Sequence, residues 1–172
     1  MLNTPKNYAY IDGNNLHLSI TNLGWKLDYR RLKSYLIEKY RVEIAYYFIG
    51  YIKENESLYS NLKRHGYKLI YKEVSRDDKD NIKGNVDAEL VLQTIIDIEI
   101  YDRAIIVSGD GDFACLIKHL ITRDKLGRVL APSRTKCSRL LRKAAGSKID
   151  FLDDLEEKLR YKNEEKPFKD EL

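Results

Sequence analysis

The sequence predicts an α/β protein in which a central, mostly parallel sheet lies between two layers of helices. Short apolar runs rich in β-branched and aromatic residues alternate with segments whose apolar residues recur at the helical period. This alternation is typical of parallel strands joined by right-handed helical crossovers. A chain of 172 residues also buries a sizeable core without disulfides. We therefore expect one three-layer α/β/α domain over residues 1–161, followed by a charged tail over residues 162–172.

Three strands are predicted in the first half of the chain, over residues 8–11, 44–49 and 67–71, because each segment is rich in tyrosine and isoleucine. An Asp-Gly-Asn-Asn segment follows the first strand, and since these residues favour turns, we expect a loop from there to Gly24. The charged stretch over residues 72–84 is too long for a tight connection, and we expect it to form a mobile flap.

Two helices are predicted between these strands. Asp28 is a helix-capping residue that precedes Leu32 and Leu36, and the spacing of these leucines predicts a helix with one apolar face. A polar helix over residues 54–64 comes next. It is closed by Gly66, because glycine readily adopts the left-handed conformation that ends helices.

A longer helix is predicted over residues 86–100. Its apolar residues Val91, Ile95 and Ile98 share one stripe with Asp87, which directs that carboxylate toward the interior. The remaining predicted elements are a strand over residues 104–107, a helix over 113–121, a strand over 127–130, a helix over 136–145, a short strand or turn from Ile149, and a terminal helix over 151–161.

Charge is distributed unevenly along the chain. The net charge is +4, but residues 151–172 hold eight acids and five bases, so the first 150 residues carry +7. Seven basic residues and no acid occur over residues 125–143. Such a run is either a solvated surface or a contact surface for phosphates. The two interpretations are compatible.

Several classes of protein are disfavoured by composition. The sequence contains no apolar stretch long enough to span a membrane and no basic-then-apolar leader, so we expect neither membrane insertion nor secretion. Cys115 and Cys137 are too few and too far apart for a zinc site or a disulfide framework. A cytoplasmic protein is the expectation that follows.

Four carboxylates occur where predicted strands end or predicted helices begin. Asp12 follows the first strand, Asp110 and Asp112 follow the strand over residues 104–107, and Asp87 lies at the start of a helix. In a parallel sheet all these positions lie at the carboxyl edge. Taken alone, Asp87 and Asp110 are each more simply explained as helix caps, but all four acids are directed to one crevice. Together they form an anionic cluster that requires a cation, and carboxylate oxygens without nearby cysteine or paired histidine favour Mg²⁺ or Mn²⁺.

Other polar residues are expected around this cluster. Asn14 and Asn15 are candidates for positioning water or phosphate, or for stabilising the turn, and Ser108 is a candidate hydrogen-bond donor to a metal-bound carboxylate or a helix cap. The strand over residues 127–130 ends at the same edge, which brings the basic run close. The candidate phosphate-binding residues are Lys83, Arg134, Lys136 and Arg139.

Three segments, YIDGNNL, KGNVDAELVLQ and AIIVSGDGDF, resemble in order and separation the LabA-like members of the NYN-domain family of PIN-like nucleases. The resemblance covers residues 7–152. It implies a PIN-like fold, dependence on Mg²⁺ or Mn²⁺, and RNA as substrate. Carried over by position, Asp12, Asp87 and Asp110 would bind metal.

The same resemblance implies a supporting role for Asp112, with Asn14 or Asn15 close to the metal. One position departs from the family pattern. Many members have a further Asp six residues after the one that matches Asp87, and this chain has Gln93 there. We expect this change to remove a supporting contact below the site and to leave activity in place.

The leading hypothesis is a metal-dependent ribonuclease that hydrolyses phosphodiester bonds of single-stranded RNA, with the four aspartates as catalytic residues. The alternative is an RNA-binding or scaffold protein with the same fold and little or no activity. Action on DNA flaps or on small phosphoesters remains open at this stage, because phosphate contacts carry no information about the sugar. The chain is expected to be a monomer or a homodimer.

Overall fold

The computed structural model describes residues 4–73, 75–76, 82–83 and 85–163. Short 3-10 turns precede α3, α5 and α7 in the described part of the chain. The labelled elements are, in order, β1 (Asn7–Asp12), α1 (Gly13–Asn22), α2 (Tyr29–Tyr40), β2 (Val42–Gly50), α3 (Glu56–Arg64), β3 (Tyr67–Lys72), β4 (Ser75–Arg76), β5 (Ile82–Lys83), α4 (Asp87–Ile96), β6 (Ala104–Val107), α5 (Ala114–Thr122), β7 (Leu126–Ala131), α6 (Arg139–Ala145), β8 (Ile149–Phe151) and α7 (Glu156–Leu159).

Six of the strands form one parallel sheet in the order β3-β2-β1-β6-β7-β8. From β1 the chain adds β2 and then β3 on one side of the sheet. It then returns to the other side of β1, where it adds β6, β7 and β8. The strand order therefore reverses between β1 and β6, where Ile11 pairs with Val107. In open α/β sheets this reversal is where a crevice forms at the carboxyl ends of the strands.

Helices cover both faces of the sheet. Alternate residues of β1 point in opposite directions, so that Ala9 and Ile11 enter one hydrophobic core while Tyr8 and Tyr10 enter the other. The first core is covered by α1, α2, α3 and α7, and the second by α4, α5 and α6. Both faces are buried, which explains the continuous apolar runs of the strands. The prediction of a three-layer α/β/α fold is confirmed.

The predicted loop after the first strand was wrong, because α1 occupies residues 13–22. Asp12 caps this helix by accepting a hydrogen bond of 3.1 Å from the backbone amide of Asn15. Leu16 and Ile20, one turn apart, are buried in the first core. Tertiary packing thus overrides the turn preference of the Asp-Gly-Asn-Asn segment.

Other helices were placed correctly but differ in length. Asp28 caps α2 as expected, and Gly66 follows α3 with a φ of +81°. In α4 the buried residues are Leu90 and Thr94. The predicted stripe was wrong at Ile95, which is exposed, whereas Val91 packs against the second core and Ile98, just after the helix, is buried. The predicted helix over residues 136–145 begins instead at Arg139, because Ser138 caps it.

The segment predicted as a flap is described only in part. Within it, β4 and β5 pair in antiparallel fashion, Ser75 with Lys83 and Arg76 with Ile82. The rest of that segment lies outside the described residues, as does the predicted tail from residue 164 onward. Among the described helices, none has the length and apolar character that crossing a membrane requires.

Candidate metal centre at the carboxyl edge

Three carboxylates converge at the carboxyl edge of the sheet. Asp87 is the first residue of α4, while Asp110 caps the 3-10 turn before α5 and Asp112 lies within that turn. One carboxylate oxygen from each residue lies within 4.8 Å of the others. Asp87 and Asp110 are half-buried and Asp112 is exposed, so the cluster opens to solvent.

Asp12 lies beside this trio and is more deeply buried than its members. Its Oδ1 accepts from the amide of Asn15 and its Oδ2 accepts from the hydroxyl of Ser108, both at 3.1 Å. Burial raises the pKa of Asp12 to about 6; these two hydrogen bonds oppose the rise, and the charges of Asp87 and Asp110 add to it. Asp12 therefore belongs to the same electrostatic cluster, but it is buried deeper in the protein than the three convergent acids.

The Ser108–Asp110 loop explains how the acids are positioned. The amide of Asp110 donates to the hydroxyl of Ser108 at 3.1 Å, and Oδ1 of Asp110 accepts from the amide of Asp112 at 3.0 Å. Asp110 acts as a cap, as the simpler interpretation of its sequence position predicted, and Asp12 also acts as a cap although a loop was predicted after it. Capping uses one oxygen of Asp110 and holds the carboxylate rigidly beside the other acids.

Asp87 is positioned by residues that the sequence did not single out. Its amide donates to Oδ1 of Asn85 at 2.9 Å. Burial raises the pKa of Asp87, the charges of Asp110 and Asp112 raise it further, and the Asn85 side chain and Lys72 act in the opposite direction. Lys72 ends β3, and its ammonium donates to the carbonyl of Asn85 at 2.6 Å. The only sequence signal for Lys72 is its place at the end of a strand.

The donor set is suited to a hard divalent cation. All the converging ligand atoms are carboxylate oxygens, and two of the acids have pKa values raised by mutual repulsion and burial. Lys72, whose charge acts on Asp87, is shared with Glu89, with which it forms an ion pair of 3.2 Å. Mg²⁺ or Mn²⁺ fits this chemistry better than a softer metal. The residues that would hold it are Asp87, Asp110 and Asp112, with Asp12 behind them.

The two asparagines after Asp12 lie in different surroundings. Oδ1 of Asn15 accepts from the amide of Gly109 at 2.8 Å, so Asn15 ties the end of β1 to the loop after β6. Asn14 is exposed at the start of α1. Asn15 therefore shapes the site by holding two strand ends together, and Asn14 lies where solvent or a ligand can reach it.

Two of the predicted basic residues flank the acids. The amide of Ser138 donates to the carbonyl of Gly109 at 2.9 Å, which places the segment before α6 against the acidic loop. Lys136 and Arg139, on either side of Ser138, are exposed there. Arg134 is engaged elsewhere. Its guanidinium pairs with Asp154 and lies 4.1 Å from the centre of the Phe151 ring.

The side chain of Lys83 lies outside the described part of the structure. Its predicted contact with phosphate stays a prediction, as does the role of each of the other site residues.

Gln93 lies in the second core, below the acidic cluster. Its Nε2 donates to Oδ1 of Asp97 at 3.0 Å, and Oδ2 of Asp97 accepts from the hydroxyl of Tyr10 at 2.9 Å. Asp97 is buried. The amide at position 93 thus satisfies a carboxylate that is itself buried, a contact that another Asp could not make.

An all-parallel α/β/α fold with carboxylates gathered at its switch point defines the PIN-like class. A model of the NYN domain matches residues 8–153, and the chain therefore belongs to the NYN domain family, whose members are generally PIN-like nucleases that use divalent metals. The resemblance inferred from three sequence segments is confirmed.

Relatives support the same assignment. The chain is 28% identical over 154 residues to the low amplitude and bright protein LabA of Synechococcus elongatus, with 84% of this chain and 82% of LabA covered. Among solved structures, a protein of unknown function from Vibrio parahaemolyticus, VPA0982, matches with a TM-score of 0.76 and 21% identity. That match covers 94% of this chain and 99% of VPA0982 and shows a shared fold.

Proposed function

We propose that the protein is a metal-dependent ribonuclease that hydrolyses phosphodiester bonds in single-stranded RNA. The observation that carries the proposal is the convergence of Asp87, Asp110 and Asp112, with Asp12 behind them, at the switch point of the sheet. Membership of the NYN domain family supports nuclease activity and a divalent metal. Mg²⁺ or Mn²⁺ held there would supply an activated water and charge stabilisation for in-line attack at phosphorus.

Other features of the site would admit the substrate and bind its phosphates. The exposed position of Asp112 leaves the cluster open on the side where a phosphate would arrive. Lys136 and Arg139 lie beside the acidic loop and would neutralise the phosphates that flank the scissile bond. A polymer substrate fits this arrangement better than a small phosphoester, because only a polymer has flanking phosphates for these basic residues to contact. A cytoplasmic setting is the expected one, and the two free cysteines agree with it.

An RNA-binding or scaffold protein with little activity is the second candidate. The side chain of Gln93 favours this second candidate. It donates a hydrogen bond to Asp97 and stands at a position where many family members have a carboxylate. In that case the acids and the basic residues would bind metal and RNA without turnover.

Cleavage assays with labelled single-stranded RNA and DNA of equal sequence test the proposal. We expect RNA cleavage in Mn²⁺ or Mg²⁺, none in a chelator, and none from Asp110→Asn, which keeps the capping geometry and removes a metal ligand. Asp28→Asn is the matched control, because Asp28 caps α2 in the same way and lies outside the site. Undiminished cleavage by Asp110→Asn would exclude this site, and RNA binding without product in either metal would favour the second candidate.

A further inference from the structure

Three tyrosines form a cluster at the same edge of the sheet as the acids. Tyr51 directly follows β2, Tyr71 lies near the end of β3, and Tyr59 lies on α3. Their ring centres are 5.2 to 5.8 Å apart. We call these three residues the tyrosine platform. Tyr59 is fully buried, whereas Tyr51 and Tyr71 are 40% and 37% exposed.

The platform is held rigidly from below. The hydroxyl of Tyr59 accepts from the amide of Ile52 at 2.9 Å and donates to the carbonyl of Gly50 at 3.2 Å, so it anchors the chain on either side of Tyr51. The Tyr51 ring stacks on the Tyr59 ring with an angle of 30° between their planes. The Tyr51 hydroxyl donates to Glu56 at 2.7 Å. An aromatic surface with fixed geometry is therefore presented to solvent.

Three hydrogen bonds connect the platform to the acids. The amide of Tyr51 donates to the carbonyl of Lys72, the ammonium of Lys72 donates to the carbonyl of Asn85, and the side chain of Asn85 accepts from the amide of Asp87. A chain of direct contacts this short keeps the platform within reach of a strand whose phosphate lies at the acids.

A cation lies over the exposed part of the platform. The ammonium of Lys63 is 5.6 Å from the centre of the Tyr71 ring, and Lys63 is exposed on α3. At the opposite end, Glu56 is bonded to Tyr51 and would repel phosphate. A nucleic-acid backbone would therefore follow the Lys63 side. Exposed aromatic rings beside a cation are the combination that binds single-stranded nucleic acid.

We propose that Tyr51 and Tyr71 form a base-stacking subsite for single-stranded nucleic acid that extends from the acidic cluster. The inference rests on the proposed function, because the strand is placed by the acids and the basic residues beside them. Unpaired bases have free faces to stack on aromatic rings, whereas bases in a duplex are already stacked on one another. The subsite therefore selects single strands over duplexes.

Binding of a fluorescent single-stranded RNA, measured by anisotropy in the Asp110→Asn background, tests the subsite without cleavage. We expect Tyr51→Leu and Tyr71→Leu each to lower affinity about tenfold. Tyr51→Phe keeps the ring and loses only the bond to Glu56, so it should bind like its parent. Tyr161→Leu is the matched control, because Tyr161 is 46% exposed, has the ammonium of Lys26 4.7 Å from its ring, and follows α7 instead of lying at the end of β2 or β3.

The outcomes separate the two proposals. If the parent binds no single-stranded RNA and the wild-type protein neither binds nor cleaves it, the proposed function fails. If the parent binds and both leucine variants bind equally well, the stacking subsite is excluded while the proposed function stands. If Tyr51→Phe loses as much affinity as Tyr51→Leu, the bond to Glu56 and not ring stacking is responsible. Thermal denaturation of each variant identifies any loss of affinity that comes from unfolding.

A second, independent observation concerns the outer surface of α4. Leu92 and Ile96 are 61% and 60% exposed, Ile100 in the turn after the helix is 57% exposed, and Ile95 is 37% exposed. We call these four residues the α4 apolar face. Their spacing places Leu92, Ile96 and Ile100 on one stripe. Single exposed aliphatic residues are ordinary, but three on one helix with a fourth in the turn that follows mark a contact surface.

Exposed charge on the α4 apolar face is confined to its last turn, where Glu99 precedes Ile100 and pairs with Arg123 at 2.7 Å. Over residues 90–98 the one charged residue is Asp97, which is buried and bonded to Gln93 and Tyr10. Charged residues make up 34% of the chain, so nine consecutive residues, 90–98, without an exposed charge are unusual here. The face therefore does not suit nucleic acid, and it suits another apolar surface.

We infer that two copies of the chain associate through the α4 apolar face. The stripe can pack against its own copy under two-fold symmetry, since its exposed residues from Leu92 to Ile96 are uncharged and Glu99 at its end is neutralised by Arg123. Each copy offers roughly 400 Å² of aliphatic surface, and two such faces with their polar rim reach the roughly 1,000 Å² of a weak but specific interface. The stripe lies on the half of α4 away from Asp87, so both acidic sites stay open in the dimer.

Sedimentation velocity over a micromolar to submillimolar range tests this inference. We expect a monomer–dimer equilibrium that Ile96→Glu shifts to monomer. Leu18→Glu is the matched control, because Leu18 is 60% exposed on α1 and should not affect association. A wild-type protein that stays monomeric throughout, or an Ile96→Glu variant that dimerises like wild type, would overturn the inference.

Discussion

The hydroxyl of Ser108 donates a hydrogen bond of 3.1 Å to Oδ2 of Asp12 and thereby joins the ends of β6 and β1. The hydroxyl oxygen of Ser108 also accepts a hydrogen bond from the backbone amide of Asp110. One buried side chain thus holds two of the acids in register across the point where the strand order reverses.

Ser108→Ala should lower the free energy of unfolding by about 1–3 kcal/mol, because it leaves a buried carboxylate oxygen and a backbone amide each without a partner. It should also weaken Mn²⁺ binding, since Asp12 and Asp110 lose their common support. Urea denaturation and Mn²⁺ titration measure the two effects. Ser133→Ala is the control: Ser133 is also buried and accepts from the amide of Lys136, so its loss should cost stability alone. Equal Mn²⁺ affinities for both variants would refute the bridging role.

Asp12→Asn should stabilise the metal-free protein at neutral pH by about 2 kcal/mol, because it removes a buried charge whose pKa is raised to about 6. Its amide oxygen can still accept from the amide of Asn15. The same change should reduce the rise in Tm that Mn²⁺ produces. Differential scanning calorimetry with and without Mn²⁺ measures both effects, and Asp28→Asn should show neither. A metal-free variant less stable than wild type at neutral pH would contradict the prediction.

The stability of the metal-free protein should fall as pH rises from about 4 to about 6. The pKa of Asp12 is raised to about 6 in the folded protein, and that of Asp87 is also raised, so the folded state binds protons more tightly than the unfolded state over this range. Stabilisation by Mn²⁺ should show the opposite trend and grow as pH rises, because metal binding requires the ionised carboxylates.

Thermal melts at several pH values, with Mn²⁺ or a chelator, measure both trends. In Asp12→Asn the fall in metal-free stability should be smaller than in wild type. A metal-free stability that rises through this range in wild type but not in Asp12→Asn would refute the prediction.

Gly111→Ala should separate the basic segment from the acids. A Cβ at this position would overlap the hydroxyl of Ser138, whose backbone amide holds the segment against Gly109. We expect a loss of about 1–3 kcal/mol in stability and weaker RNA binding. Gly109→Ala is the matched control, since the nearest atoms to its added Cβ are 3.6 Å away. Equilibrium unfolding and RNA anisotropy compare the two, and equal behaviour would rule out the clash.

Gln93→Asp, which restores the residue of many family members, should destabilise this protein by about 1–3 kcal/mol. The change removes the donor to buried Asp97 and places a second carboxylate near it. Gln93→Asn keeps an amide and serves as the control. Chemical denaturation ranks the variants, and Gln93→Asp at least as stable as wild type would show that Asp97 does not depend on the Gln93 amide.

Much of the fold was predictable because its signals are local. The five strands predicted without alternatives, the cap at Asp28 and the helix end at Gly66 depend on apolar runs and on backbone preferences within a few residues. The loop expected after Asp12 failed because turn-forming residues became helical when Leu16 and Ile20 met the first core. The free energy gained by burying Leu16 and Ile20 exceeds the local preference of this segment for a turn. Whether these side chains are buried depends on core residues that are distant in the chain.

The same distinction applies to the site. That Asp12, Asp87 and Asp110 belong to one edge follows from alternating strands and helices, so the sequence by itself determined the class of fold, the family and the acids. Only the tertiary structure brought Lys72 and Asn85 to Asp87, engaged Arg134 with Asp154, and left Tyr51 and Tyr71 exposed beside the crevice. These contacts join residues far apart in the chain, and their geometry depends on how strands and helices pack together, which no local pattern encodes.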